Sequence, residues 1–204
     1  LGDGDHTSLS TIPHDNKGVA ELLVKQDGIL AGVDVAVQVF KAVDPDTQIE
    51  IFIRDGEKIA PGDIAFRVSG KAISLLSAER LALNFMQRMS GIATYTNYLT
   101  GLLNGLHTRL LDTRKTTPNF RYFEKEAVRI GGGLNHRMGL YDMIMIKDNH
   151  VDFAGGIANA ITACKKYLEE KGKDLPKTPP RNQGNNHLEA ATLSPDHMEE
   201  PGAA

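Results

Sequence analysis

LLDTRKTTPNFRYFEKEAVRIGGGLNHRMGLYDMIMIKDNH, residues 110–150, holds two short apolar runs that each stop at a polar cluster. Leu110-Leu111 leads into Asp112-Thr113-Arg114-Lys115, and Met143–Ile146 leads into Lys147-Asp148-Asn149-His150. Between them Phe120–Ile130 has helical spacing and closes on Gly131-Gly132-Gly133; Ile157–Leu168 is the next helical stretch. Strand, helix, strand, helix is the order of a parallel sheet or a β/α barrel. In both architectures chemistry sits at the C-terminal ends of the strands. The polar clusters lie at those ends.

Upstream the pattern changes. Val19–Val24 reads as a strand, and Leu30–Val43 as a helix with Val33, Ala36, Val37 and Phe40 at helical spacing. Ile49, Ile51 and Ile53 alternate with Glu50, Phe52 and Arg54, a strand that Asp55-Gly56 ends. After the Pro61-Gly62-Asp63 turn comes a further strand, Ile64–Val68. Ser74–Leu103 is helical, and Gly91 is expected to divide it into two helices. Downstream, five of the nine prolines follow Leu175, and Lys177–Ala204 has only Leu188, Leu193 and Met198 as large apolar residues. Such a segment buries too little surface to offset its ordering entropy and is expected to be disordered.

The bulk figures exclude several classes. With 23 Lys and Arg against 26 Asp and Glu, the 204-residue chain has a formal charge of −3. That balance argues against a nucleic-acid coat or a polybasic membrane binder. No run approaches the ~20 apolar residues of a membrane span, and Leu1–Asp5 carries neither the basic nor the apolar part of a signal peptide. The single cysteine, Cys164, excludes an internal disulfide framework and a multi-cysteine metal site. A reducing, cytoplasmic compartment is expected.

Charge is unevenly placed. Between Arg109 and His150 eight Lys/Arg face five Asp/Glu, so this stretch is net positive in an acidic chain. Arg114, Lys115 and Lys147 follow strands, His136 and Arg137 follow the glycines, and Arg80 and Arg88 lie on the long helix. Cations converging on strand ends suit a small polyanion, and the arginine fork bonds two carboxylate or phosphate oxygens at once. Taken singly, each of these cations reads as solvated surface, and His136 and His150 as structural. The glycine run is a helix stop with a flexible loop, or a phosphate cradle that lacks the usual Lys-Ser/Thr sequel. Asp112 and Asp148 suit magnesium or simple pairing with neighbours, and Cys164 suits core packing. Spacing alone ends at an anion-binding β/α protein.

The literal strings go further. Glu79–Asn84 with Arg88–Thr94, Asp112–Pro118, Gly131–Arg137 and Lys147–His150 resemble, in order, the motifs of the quinolinate phosphoribosyltransferases, the carboxylating nicotinate-nucleotide pyrophosphorylases. Leu1–Asp5 and Gly28–Gly32 fit the same family, and the resemblance covers roughly residues 1–175. It implies an N-terminal α/β sandwich domain over 1–107 and the first units of a β/α barrel over 108–175. A non-family tail over 176–204 would then truncate the barrel at its C-terminus. It implies transfer of phosphoribose from phosphoribosyl pyrophosphate to quinolinate, giving nicotinate mononucleotide, pyrophosphate and CO2 in NAD biosynthesis. Arg114, His136, Arg137 and Lys147 would hold the quinolinate carboxylates, with Thr113 beside them. Lys115 and Lys147 would act in catalysis. Arg80 would reach into the neighbouring subunit of a homodimer or a multiple of it. The family uses Mg2+, whose usual acidic ligands do not appear in Lys177–Ala204. No nucleic acid or membrane partner is implied. Two alternatives stand beside this: a related transferase with another acceptor, such as the molybdenum-associated homologues, and a truncated, inactive dicarboxylate-binding chain or dimer partner.

Overall fold

The computed structural model describes residues 2–178. Its elements in chain order are α1 (His6–Thr11), β1 (Lys17–Leu23), β2 (Gly28–Ile29), α2 (Val33–Val43), β3 (Gln48–Ile51), β4 (Lys58–Ile59), β5 (Ile64–Lys71), α3 (Ala72–Leu102), α4 (Arg121–Ile130), β6 (Ile144–Met145), α5 (Asp148–Ala154), α6 (Ile157–Lys171) and β7 (Lys177–Thr178).

The first half is an antiparallel sheet of order β1-β5-β3 with helices against one face, plus the small β2-β4 ribbon. Alternation explains the two faces. In β5, Ala65, Phe66 and Val68 are buried with Phe40, Leu75 and Met86, while Arg67 points outward. There it pairs with Glu21 (2.8 Å) and Glu50 (3.2 Å) on the flanking strands. These exposed pairs add little to stability.

Two expectations are corrected here. The helix expected from Leu30 begins at Val33, because the Leu30 and Ala31 carbonyls, the acceptors that a helix starting there would use, are taken elsewhere. Leu30 O accepts from the Gly56 N–H (2.8 Å) and Ala31 O from Ser90 Oγ (3.1 Å). Gly32 then takes φ +96°, and Asp55 Oδ1 accepts from the Val33 N–H at 2.8 Å. Nor does Gly91 divide the long helix: α3 runs unbroken for 31 residues. A mid-helix glycine costs about 1 kcal/mol, and tertiary anchors on both sides exceed that. Met89, Ile92 and Ala93 are buried, Ser90 bonds both polar groups of the Ala31 backbone, and Thr94 Oγ1 accepts from Ile29 N at 2.9 Å.

The second half is laid on α3. Phe85 of α3 stacks on Phe120 (5.2 Å between centroids) and meets Phe123 edge-on (4.7 Å), which fixes the start of α4. The parallel pairing read from the sequence is present but short. Leu111 bridges Leu134 in parallel, and β6 pairs in parallel with β7. Lys177 and Thr178, expected to begin a disordered tail, therefore form a strand beside Ile144 and Met145; the rest of that expectation, residues 179–204, lies outside the described residues. The strand at Leu134 and the helix α5 were not expected: polar Asp148-Asn149-His150 carry no strong helical period.

The glycine run is neither flexible nor a phosphate cradle. Gly131, Gly132 and Gly133 donate their N–H groups to the α4 carbonyls of Ala127 (3.0 Å), Arg129 (3.0 Å) and Val128 (2.9 Å), so none points at a ligand. A Cβ on Gly131 would stand 2.4 Å from the Ala93 carbonyl oxygen and 2.8 Å from Thr96 Cβ. Gly131→Ala is expected to destabilise the chain by about 1–3 kcal/mol, the usual cost of overpacking, read as a lower urea midpoint at unchanged slope.

Candidate functional site

The site grows from the Leu111–Leu134 pairing. Asp112 N donates to the Leu134 carbonyl (3.1 Å) and Leu134 N to the Leu110 carbonyl (2.9 Å). Residues 113–116 and 135–138 therefore emerge side by side from a single parallel bridge. Thr113, Arg114 and Lys115 lie on one side, His136 and Arg137 on the other.

Asp112 ties the two together. Its Oδ1 accepts from Lys125 Nζ and from the His136 N–H (2.7 Å). Its Oδ2 accepts from the Asn135 amide at 2.8 Å, and the same amide nitrogen donates to the Lys125 carbonyl at 2.8 Å, once the amide is oriented by this network. Lys125 is 1% exposed and Asp112 6%, so this is a buried ion pair with its spare hydrogen-bonding capacity filled. Asp112 is thus engaged inward, as a structural acid. A second cluster binds the long helix to the same loop. Glu124 accepts from Arg88 Nη2 (2.6 Å), from Thr117 Oγ1 (2.8 Å) and from Thr117 N (3.1 Å).

The expected site residues divide. Arg114, His136 and Arg137 are half-buried. Arg114 Nε is buried and has no hydrogen-bond partner among the described residues, an orphan donor awaiting an acceptor. Burial, then the charges of Arg137 and Lys125, lower the His136 imidazole from its ordinary 6.5. Both causes disfavour the charged form of the ring. Thr113 Oγ1 accepts from the Lys115 N–H at 3.2 Å, which shapes the turn, and the Lys115 side chain is exposed. Lys147 lies exposed at the start of α5, where its N–H donates to His150 Nδ1 at 2.9 Å. Arg80 is exposed on α3. No hydrogen bond or ion pair among the described residues joins Lys147 or Arg80 to the Arg114–His136–Arg137 group.

Two other cavities suit an anionic substrate poorly, one by its size and one by its lining. A cavity of about 50 Å³ beneath Thr113, Lys115 and Lys125 is too small, since ligand pockets run to about 300–1,000 Å³. A groove of about 370 Å³ between the sheet and α3 is lined by Leu22, Phe40, Leu76 and Leu83, with Glu21 and Glu79 as its charged groups. That lining would repel an anion. Among the described residues, no group of three His, Cys, Asp or Glu side chains converges to hold a metal ion. No described helix is long and apolar enough to cross a membrane.

Sequence reasoning missed Asp112–Lys125, Glu124 and Arg121 as site-building residues. One signal was available: Glu124 lies at i+4 from Phe120 and i−3 from Ala127, on the apolar line of α4. A charge there has to be paired.

Two family models match the chain: the N-terminal domain of quinolinate phosphoribosyl transferase over residues 5–90, and its C-terminal domain over 92–175. A quinolinate phosphoribosyltransferase of Nicotiana tabacum is 49% identical over 167 residues, 82% of this chain and 47% of that protein. The chloroplastic carboxylating nicotinate-nucleotide pyrophosphorylase of Arabidopsis thaliana is 48% identical over 172 residues, 84% of this chain and 49% of that protein. The solved nicotinate-nucleotide pyrophosphorylase of Francisella tularensis superposes with a TM-score of 0.78 at 41% identity, over 87% of this chain and 62% of that one. The chain spans about half the length of these curated relatives.

Proposed function

The chain belongs to the quinolinate phosphoribosyltransferase family, and on that premise we propose that it binds quinolinate for carboxylating phosphoribosyl transfer in NAD biosynthesis. The observation that supports this reading is the parallel bridge of Leu111 with Leu134, which brings together the backbone segments that carry Arg114 and those that carry His136 and Arg137. Quinolinate carries two carboxylates on adjacent ring carbons. A buried, unsatisfied Arg114 Nε, a half-buried Arg137 and a neutral imidazole ready to protonate supply charge and directed donors for both. Lys147 and Lys115 add mobile charge at the rim, Thr113 holds the turn, and Arg80 serves a neighbouring subunit of a homodimer. The cytoplasm is the compartment we propose; the lone Cys164 agrees with reducing surroundings.

The chemistry follows from holding the ring. The pyridine nitrogen forms a bond to the ribose carbon as the bond to pyrophosphate breaks, and the pyrophosphate leaves with that electron pair. Fixed orientation of the ring supplies the proximity term. The ring is then a pyridinium, which accepts the electron pair released when the carboxylate next to nitrogen departs as CO2. A proton completes that carbon and gives nicotinate mononucleotide.

Calorimetric titration with quinolinate and nicotinate, followed by a pyrophosphate-release assay with phosphoribosyl pyrophosphate and Mg2+, tests the proposal. Quinolinate is expected to bind and the monocarboxylate to bind far more weakly. Binding with turnover supports the transferase reading; binding without turnover limits the chain to holding the dicarboxylate; equal or no binding of the two acids overturns it. The His136 imidazole gives a second readout by NMR. It is expected to titrate below 6.5 in the free chain, and to titrate higher when the dianion is bound. The complex then takes up a proton, so affinity rises as pH falls through the interval between the two values. A resonance that does not move on binding removes His136 from the site.

A further inference from the structure

We propose that Arg121 is a positioning residue that clamps the two cation-bearing segments, 112–117 and 135–139, in one register, so that Arg114 and Arg137 meet a single ligand. The proposal rests on the quinolinate reading of the site. Arg121 is the first residue of α4, the helix end where the dipole is positive and a cation is disfavoured. Helix formation therefore does not account for it, and its contacts do. Nε donates to Thr116 Oγ1 at 3.1 Å, Nη1 to the Met138 carbonyl at 3.1 Å and Nη2 to the Arg114 carbonyl at 3.4 Å. Two of these acceptors belong to Arg114 itself and to the residue that follows Arg137. All three nitrogens are turned onto protein oxygens, so Arg121 acts through those two arginines and not on a ligand.

The guanidinium suits this task because it is planar and rigid; one ammonium group cannot fix two carbonyls in a set geometry. The clamped loop is also held from its other side. Asp142 accepts from the Met138 N–H (2.6 Å) and the Gly139 N–H (2.8 Å), and these bonds lower its carboxyl. Met138 is thus gripped at both its carbonyl and its amide. The sharp return after Arg137 is set by two side chains as well as by local turn preference.

The test uses the full 204-residue chain with Arg121→Lys and Arg121→Gln, followed by amide hydrogen exchange and quinolinate titration. Both segments are expected to exchange faster in both variants while β5 and α2 are unchanged. Quinolinate binding is expected to weaken by about tenfold or more in each, the scale of one well-placed charge-assisted hydrogen bond. Exchange unchanged in both segments, loosening of one segment alone, or full rescue of binding by lysine overturns the clamp. If the unaltered chain does not bind quinolinate, the proposed function fails, and the exchange result alone decides the clamp. If neither variant folds, Thr116→Val removes one acceptor. Faster exchange in 112–117 then supports the clamp, and unchanged exchange there overturns it.

Discussion

Arg137→Ala is expected to weaken quinolinate binding about thirty-fold or more, while the folded state survives. The physical reason is the asymmetry between the side chain's two possible roles. Arg137 is half-buried and appears in no ion pair or hydrogen bond among the described residues. Its removal strands no buried partner, and the expected change in stability is within about 0.5 kcal/mol, a shift of roughly 1–2 °C in Tm for a domain of this size. In the proposed complex it would face a doubly charged acid. Truncating one partner of a desolvated charge pair costs about 2–5 kcal/mol, which is a thirty-fold loss or more. Calorimetry and a thermal melt on the same sample separate the two effects. Unchanged affinity removes Arg137 from the site, and a collapsed melt assigns it to the fold.

Lys125→Met has the opposite signature: a large loss of stability. Lys125 is sealed in the interior against Asp112, and the methionine leaves that carboxylate buried without its cation. Breaking a buried pair from one side costs about 3–5 kcal/mol. Asp112 also accepts from the His136 N–H and the Asn135 amide, so the damage reaches the strand end that carries the site. The double variant Lys125→Met with Asp112→Asn is expected to recover part of the loss. Asparagine keeps an acceptor for His136 N and removes the stranded charge, but its NH2 group then meets the Asn135 amide nitrogen. A double-mutant cycle in urea measures the coupling. A double variant no more stable than Lys125→Met assigns the lysine's contribution to packing of its stem and not to its charge.

The two arginines that lie between Asp112 and Lys125 in the chain show why some of the site was legible and some was not. Arg114 announces itself in sequence, because it follows an apolar run that reads as a strand and strand ends carry chemistry in β/α folds. Arg121 gives no such sign: an arginine at the start of an amphipathic helix looks like solvated surface. Only the approach of Met138 brings the carbonyl that joins the second segment and makes it a clamp. Gly91 erred the other way. Its local propensity predicted a break, and the burial of Met89, Ile92 and Ala93 against Ile29 and Ala31 overrode it. The glycine run hid its use too, since three small residues read as freedom until the Ala93 carbonyl is seen against Gly131.

What the sequence by itself determined was local and periodic. The alternation in residues 49–53 and 64–68, the helical stripes of α2, α4 and α6, the positive bias between Arg109 and His150, and four motifs in family order are all patterns within short windows of chain. Side-chain spacing and charge density need no knowledge of what lies opposite. Tertiary structure alone decided which strand ends are neighbours. It turned Asp112 inward to Lys125 rather than outward to a metal, left Arg114 Nε without a partner among the described residues, and lowered the His136 imidazole by burial. Each of these depends on groups 13 to 24 residues apart in the chain coming within hydrogen-bond distance. Such pairings carry no local periodicity, because they are set by how α4 is packed on α3 and not by the propensity of any residue in them.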